Sequence, residues 1–444
     1  MSESPFAARG VIEGFYGHPW THEQRLELIE LLGDRGMNAF MYSPKDDALL
    51  RDRWREPYDG DELERFEELV RCCETAGLQL TWCISPGLSI RYSDPSDVAA
   101  LRAKIASVLE HGVSRVGLFL DDIPDELQHP ADVAAFDSLE QAHVALANGV
   151  FEALPEGIGL LVCPTEYWGR GTEPSVAALG SGLDPRIDLF WTGRAICSAT
   201  LDLEDARAFE HTTGRPPLYW DNYPVNDVAM SYELHIGPYR GRDPELWQAS
   251  RGVVANAMEL YEASKIPVFT IADYLRDPEG YDPEASWQAA MRDVVGDADL
   301  EHFALFADNV RTSCLSVDDA PIVHGALSRA LFELEHGERD AGVASLDALA
   351  RRLQASADHL LRGPVVNQRL IEEIRPWLVG YEIGAEAVRA IADLAADGRL
   401  EEDGSTLAPY LIRLRRARVR VFGDALEMTL SVLSGTMFRP GEVP

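Results

Sequence analysis

Eight short apolar runs punctuate the first 280 residues, and amphipathic stretches of helical period lie between most of them. The runs fall at 10–13, 38–43, 79–85, 115–120, 157–163, 187–192, 217–220 and 252–255. Apolar runs without alternation suit parallel strands that are covered on both faces. The clearest helical patterns are 22–35, 61–76, 97–111 and 131–154. A strand and helix repeated eight times predicts an α/β fold, a (β/α)8 TIM barrel ending near residue 280. An open doubly wound sheet is the alternative. The strand count and the spread of polar residues over many strand ends favour closure. No glycine-rich nucleotide loop follows the first run, since Gly14-Phe15-Tyr16-Gly17 does not fit a dinucleotide fingerprint.

The texture changes between Pro278 and Pro283. Beyond it the chain reads as helices only. Leu327, Leu331 and Leu334 share one helical face, as do Leu346, Leu349 and Leu353, and Leu370, Ile374 and Trp377. Pro376 is expected to kink or interrupt its helix. The expected domains are therefore a catalytic barrel over 1–280 and an all-α helical bundle over 281–444. The tail 438–444 is expected to fray.

Charge limits the partners. Forty Lys and Arg against 74 Asp and Glu give a formal charge of −34. That argues against nucleic acid, which calls for a basic face, and against an anionic membrane surface. The arginines at 413, 415, 416, 418 and 420 read as a solvated or salt-bridged helix face. Lysines stand only at 45, 104 and 265 in a chain that otherwise uses arginine. Lys45, just past the second run, therefore suggests a need for a compact, flexible cation, although a plain surface loop would also carry it. The six cysteines match no zinc or disulfide spacing and fit free thiols in a reducing cytosol. The first residues carry no basic and apolar signal pattern, and no run is long enough to span a bilayer, so the expected setting is cytoplasmic.

The fourth run ends abruptly in Asp121-Asp122. Adjacent carboxylates repel, and a partly desolvated one holds its proton to higher pH. A proton donor beside an anion is the equipment for glycosidic cleavage. Equally, either Asp can cap a helix beginning near Pro124. Other strand ends weigh in. They present Glu13-Gly14-Phe15-Tyr16-Gly17, Tyr42-Ser43-Pro44-Lys45-Asp46-Asp47, Cys163-Pro164-Thr165-Glu166-Tyr167-Trp168, Trp191-Thr192-Gly193, Trp220-Asp221-Asn222 with Asn226-Asp227, and Asn256. Any one of these is most often a turn residue, a cap or a core aromatic. Their recurrence at one rim has the character of a carbohydrate pocket, with rings for stacking and amides and acids for hydroxyl groups. No metal is expected, because the eleven histidines form no ligand motif. No cofactor is expected, and no serine-nucleophile elbow occurs.

These motifs, in this order, resemble glycoside hydrolase family 84, whose members are β-N-acetylglucosaminidases that include protein O-GlcNAcases. The resemblance covers roughly residues 8–280. It implies retaining hydrolysis of terminal β-linked N-acetylglucosamine without an enzyme nucleophile: the substrate's own acetamido oxygen attacks the anomeric carbon and forms an oxazoline. It implies that Asp121 orients and polarises the acetamido N–H. Asp122 would then be the general acid and later the base, kept protonated near neutral pH by the charge of Asp121. Lys45, Asn222, Asp227 and Asn256 would meet sugar hydroxyls. Tyr167 would bond to the acetamido oxygen, Trp220 and Thr192 would line the methyl pocket, and Gly14 would bring backbone close to the sugar. His18, Ser43 and Ala257 depart from the family's usual residues, which leaves the aglycone open. The partner implied is a GlcNAc-bearing glycoprotein or oligosaccharide, and the helical segment is compatible with a homodimer. The competing readings are a GlcNAc-binding barrel that no longer turns over and an unrelated metal-dependent barrel. The intact acid pair weighs against the first and the histidine pattern against the second.

Overall fold

The structure, a computed structural model, describes residues 4–317 and 320–435. The tail 438–444, expected to fray, lies outside the described residues. The chain divides into two compact units. The first takes the described residues up to Asp227, then Arg240–Tyr261 and Ile271–Tyr281. The second takes Val228–Tyr239, Glu262–Thr270 and the described residues from Asp282 onward.

The first unit is a closed barrel of eight parallel strands in sequence order. They are β1 (Ala8–Glu13), β2 (Ala39–Tyr42), β3 (Gln79–Ile84), β4 (Arg115–Phe119), β5 (Gly159–Cys163), β6 (Asp188–Trp191), β7 (Leu218–Asp221) and β8 (Gly252–Asn256). β8 closes on β1, with Ile12 opposite Asn256. The outer helices are α1 (His22–Asp34), α2 (Gly60–Ala76), α3 (Pro95–Leu109), α4 (Pro130–Ala135), α5 (Leu139–Ala153), α6 (Pro174–Gly182) and α7 (Leu203–Thr213). All eight expected strands are present, each within two residues of its predicted ends.

The apolar runs fold this way because the barrel interior is itself packed. Ile12, Met41, Phe119, Leu161, Phe190, Leu218, Trp220 and Val254 meet inside it. Phe119, Phe190 and Trp220 form a ring triangle with centroids 5.3–5.7 Å apart. Edge-to-face and tilted arrangements of this kind suit the ring quadrupoles. Gly10 lets β1 approach β2, since a Cβ there would fall 2.3 Å from the Ala39 carbonyl oxygen.

Two expectations fail here. The 131–154 pattern is two helices, not one. Phe136 adopts an extended backbone, and Ser138 restarts the chain as the cap of α5, accepting the Gln141 N–H at 3.2 Å. Apolar period runs through such a break because it follows side-chain faces, whereas a cap interrupts the backbone. Nor does a helix begin at Pro124. The next one starts at Pro130 with His129 before it, so neither Asp121 nor Asp122 is a cap.

In the second unit the described residues from Asp282 onward are mostly helical, joined by turns, irregular stretches, one 3-10 segment and one isolated bridge. Pro376 interrupts as expected: one helix ends at Glu373 and the next, Arg375–Asp397, carries Pro376 in its first turn. Leu346, Leu349 and Leu353 are buried together, whereas Leu331 and Leu334 are only half-buried beside buried Leu327. In the arginine cluster, Arg413 pairs with Glu386 and Arg415 with Glu427.

The Glu373 carboxylate accepts the backbone N–H groups of Glu262 at 3.0 Å and Ala263 at 3.1 Å. Burial, then the nearby Glu262 charge, pushes Glu373 up to about 7 from an ordinary 4.5, against the pull of those two N–H groups and of Lys265. A raised carboxyl stabilises the fold fully below its unfolded value, and that share is lost as pH climbs through 7. Urea unfolding at pH 5 and pH 8 should therefore show wild type losing about 2–3 kcal/mol more than Glu373→Gln does. Equal losses in the two proteins would contradict this.

Candidate active site

The parallel strands bring all their C-terminal ends to one rim, and every predicted site residue lies in the barrel unit. The centre is Asp121-Asp122. Successive side chains on a strand point to opposite faces. Here the chain leaves the strand after Phe119, and Asp122 takes a left-handed backbone, φ 54°. That turn, which Asp tolerates better than most residues, brings both carboxylates to one ammonium. Lys45 Nζ donates to Asp121 Oδ2 at 2.9 Å and to Asp122 Oδ2 at 3.4 Å. The Lys45 side chain is 5% exposed, that of Asp121 6% and that of Asp122 34%. Burial works against the Lys45 charge, but the two carboxylates outweigh it and hold the ammonium above its ordinary value.

The same ammonium reverses one expectation. Burial raises Asp122, but Lys45 and the Tyr16 hydroxyl, which donates to Asp122 Oδ2 at 2.6 Å, pull it down further. Asp122 is thus held below the ordinary carboxylate value, not above it. Repulsion between neighbouring acids is overridden when one buried cation bridges them. The two oxygens of Asp121 differ sharply: Oδ2 meets Lys45, while Oδ1 is buried with no hydrogen-bond partner among the described residues. An unmet buried acceptor is expensive, and within such a rim it marks where a donor from a ligand fits.

Four further predicted residues form an amide chain across the ends of β7, β8 and β1. Trp220 Nε1 donates to Asn222 Oδ1 at 2.8 Å, and Asn256 Nδ2 donates to the same oxygen at 3.0 Å. Gly14 N–H donates to Asn256 Oδ1 at 3.2 Å. A Cβ at Gly14 would fall 2.6 Å from the Trp220 ring, so only glycine fits beside that indole. Asp227 Oδ2 accepts the Tyr16 N–H at 2.7 Å, and burial raises its carboxyl. Thr192 N–H donates to the Tyr167 carbonyl at 2.8 Å, tying the loops after β5 and β6. Burial, then the charge of Asp122, raises the Tyr167 hydroxyl well above its ordinary value, so it stays a neutral donor. His18 is fully exposed and its N–H meets Glu259.

Sequence reasoning missed Tyr16 as a contact and Arg51 altogether. Tyr16 sat inside a quoted motif but read only as an aromatic. Arg51 lies in the long segment after β2, at no strand end, and no spacing signals it. It donates to the Tyr16 oxygen at 3.2 Å. No group of three or more His, Cys, Asp or Glu among the described residues is placed to hold a metal ion.

The β-N-acetylglucosaminidase family profile matches residues 9–308. Protein O-GlcNAcases of Rattus norvegicus and Mus musculus are each 33% identical over 315 residues. Those matches take in 67% of this chain and 34% of each relative, so the chain spans about a third of the length of the curated relatives it matches. A solved Asp→Asn variant of the Thermobaculum terrenum O-GlcNAc hydrolase superposes with a TM-score of 0.91 at 32% identity, over 98% of this chain and 95% of that one. Barrel and sequence agree, and the chain belongs to the β-N-acetylglucosaminidase family, glycoside hydrolase family 84.

Proposed function

We propose that the chain is a retaining β-N-acetylglucosaminidase that removes terminal β-linked GlcNAc with the substrate's acetamido group as nucleophile, with 1–280 as its catalytic barrel. The observation that carries this reading is the unmet Asp121 Oδ1, a buried anion's oxygen beside the Asp122 carboxyl. It suits the acetamido N–H, the one strong donor that an N-acetyl sugar has and a simple glucoside lacks. With that N–H on Oδ1, the carboxylate sharpens the nucleophilicity of the amide oxygen and stabilises the positive charge that forms.

The amide oxygen bonds to the anomeric carbon as the glycosidic C–O bond breaks, and Asp122 gives its proton to the departing oxygen. Water then adds to the anomeric carbon, Asp122 takes its proton back, and the ring opens to the acetamide. Tyr167 holds the acetamido oxygen and Trp220 with Thr192 encloses its methyl group. Gly14, Lys45, Asn222, Asp227 and Asn256 meet the sugar. Asp122 is a carboxylate in the free protein, so it must load a proton as sugar arrives. Sugar hydroxyls that draw Lys45 away, and the loss of water, both favour that. Protein-borne GlcNAc is the preferred substrate class, because the relatives are O-GlcNAcases and an O-GlcNAc hydrolase. Cys72, Cys73, Cys83 and Cys163, free thiols among the described residues, support a reducing, cytoplasmic setting.

Asp122→Asn tests the acid. It should lower kcat/KM about 10²–10⁴-fold on a GlcNAc glycoside with a basic leaving group, and far less on one with an acidic phenol. Equal losses on both would contradict the assignment.

A further inference from the structure

The mechanism leaves Tyr16 and Arg51 without a task, although Tyr16 stands against its proton carrier and Arg51 stands against Tyr16. We propose that Arg51 and Tyr16 form a two-link clamp on Asp122 that fixes Oδ2 and so reserves Oδ1 for the proton. This rests on the reading of Asp122 as acid and base, and makes both partners positioning residues.

A guanidinium has no acceptor, so the 3.2 Å contact makes the Tyr16 oxygen accept from Arg51. A phenol has one proton, and with its oxygen engaged by Arg51 that proton is directed to Asp122 Oδ2 at 2.6 Å. Bonds in such a chain polarise each other and strengthen. Tyr16 is fixed by its backbone N–H on Asp227 and by its ring, with Lys45 Nζ 5.3 Å and Arg51 5.9 Å from the centroid. Burial, its largest influence, raises the Tyr16 hydroxyl, which keeps it a donor. The Lys45 contact also falls on Oδ2, and among the described residues no protein hydrogen bond reaches Oδ1. One oxygen is thus held twice and the other is open. The charged and titratable groups facing Asp122 are Lys45 and Arg51 from the segment after β2, Tyr16 after β1, Asp121 beside it, Cys163 at the end of β5, Tyr167 after β5 and Asp227 after β7.

The clamp favours the carboxylate, the form Asp122 needs as a base. Losing it must move the pH at which free protein gives up the acid's proton upward. The test is the kcat/KM pH profile on a GlcNAc glycoside with a basic leaving group. Tyr16→Phe should shift the alkaline limb up by about half to one pH unit. Arg51→Gln should shift it less in the same direction, and that shift should shrink when Tyr16 is already Phe. A side chain that only braced the loop would lower the whole profile without moving its limb. Asp122→Asn is run beside them. If it keeps the wild-type dependence on leaving-group basicity, the acid–base reading itself fails and the clamp with it. If that reading holds but neither Tyr16→Phe nor Arg51→Gln moves the limb, the clamp alone is overturned.

Discussion

Asp121→Asn should lower kcat on an aryl β-N-acetylglucosaminide about 10²–10³-fold and leave the fold intact. The magnitude is that of removing one fixed group aimed at charge that develops in the transition state. The amide is nearly isosteric, and it can still occupy the 2.9 Å contact with Lys45 through its oxygen. What it loses is the anion. Its other atom becomes an N–H donor where the structure presents a buried, unmet acceptor. A donor facing the substrate's N–H repels it, so the acetamido oxygen is neither aimed nor activated. The loss should appear in kcat more than in KM, because the charge it answers exists only on the way to the oxazoline.

Arg242→Met should destabilise the fold by about 3–5 kcal/mol, read as a lower urea midpoint with unchanged slope. Asp221 and Arg242 are both buried, and the guanidinium spans the carboxylate at 2.6 and 2.8 Å. The same guanidinium donates to the carbonyls of Ser198 and Ala199. Met fills the volume but strips a buried carboxylate of its cation. Activity should fall too. Ser198 Oγ donates to the Thr192 carbonyl at 2.7 Å, so Arg242 holds the wall of the expected methyl pocket from behind. Asp221→Leu combined with Arg242→Met should recover much of the stability, since a buried pair replaced by apolar groups is often nearly neutral. A double variant as unstable as the single would contradict this account.

Asp221 also shows where sequence reading stops. Strands were legible because a barrel strand is buried on both faces and reads as unbroken apolar residues. The rim was legible because parallel strands deliver all their ends to one side. The acids within the motifs were not separable. Glu13, Asp47 and Asp221 stand beside Gly14, Lys45 and Asn222, yet each is structural. Glu13 is fully buried against Arg25 at 2.6 and 2.8 Å. Asp47 accepts from the hydroxyls of Tyr42 and Tyr58 and from the Leu49 N–H. Most of these partners lie on other elements, so adjacency in the chain cannot sort them. The protonation of Asp122 failed for a related reason: it depends on Lys45, 77 positions away in the chain. The unmet oxygen of Asp121 is a fact of packing that no sequence pattern carries. The second unit's claim on Val228–Tyr239 and Glu262–Thr270 was likewise invisible, since both lie within the barrel's stretch of chain.

The central claim is that the substrate supplies its own nucleophile and Asp121 directs it. The most direct measurement compares hydrolysis of an aryl β-N-acetylglucosaminide with that of its β-glucoside counterpart, for wild type and Asp121→Asn. The account predicts cleavage of the N-acetylated sugar alone, with retained configuration, and a collapse of that rate in the variant. Comparable cleavage of both sugars by wild type, or a variant as fast as wild type, would contradict it.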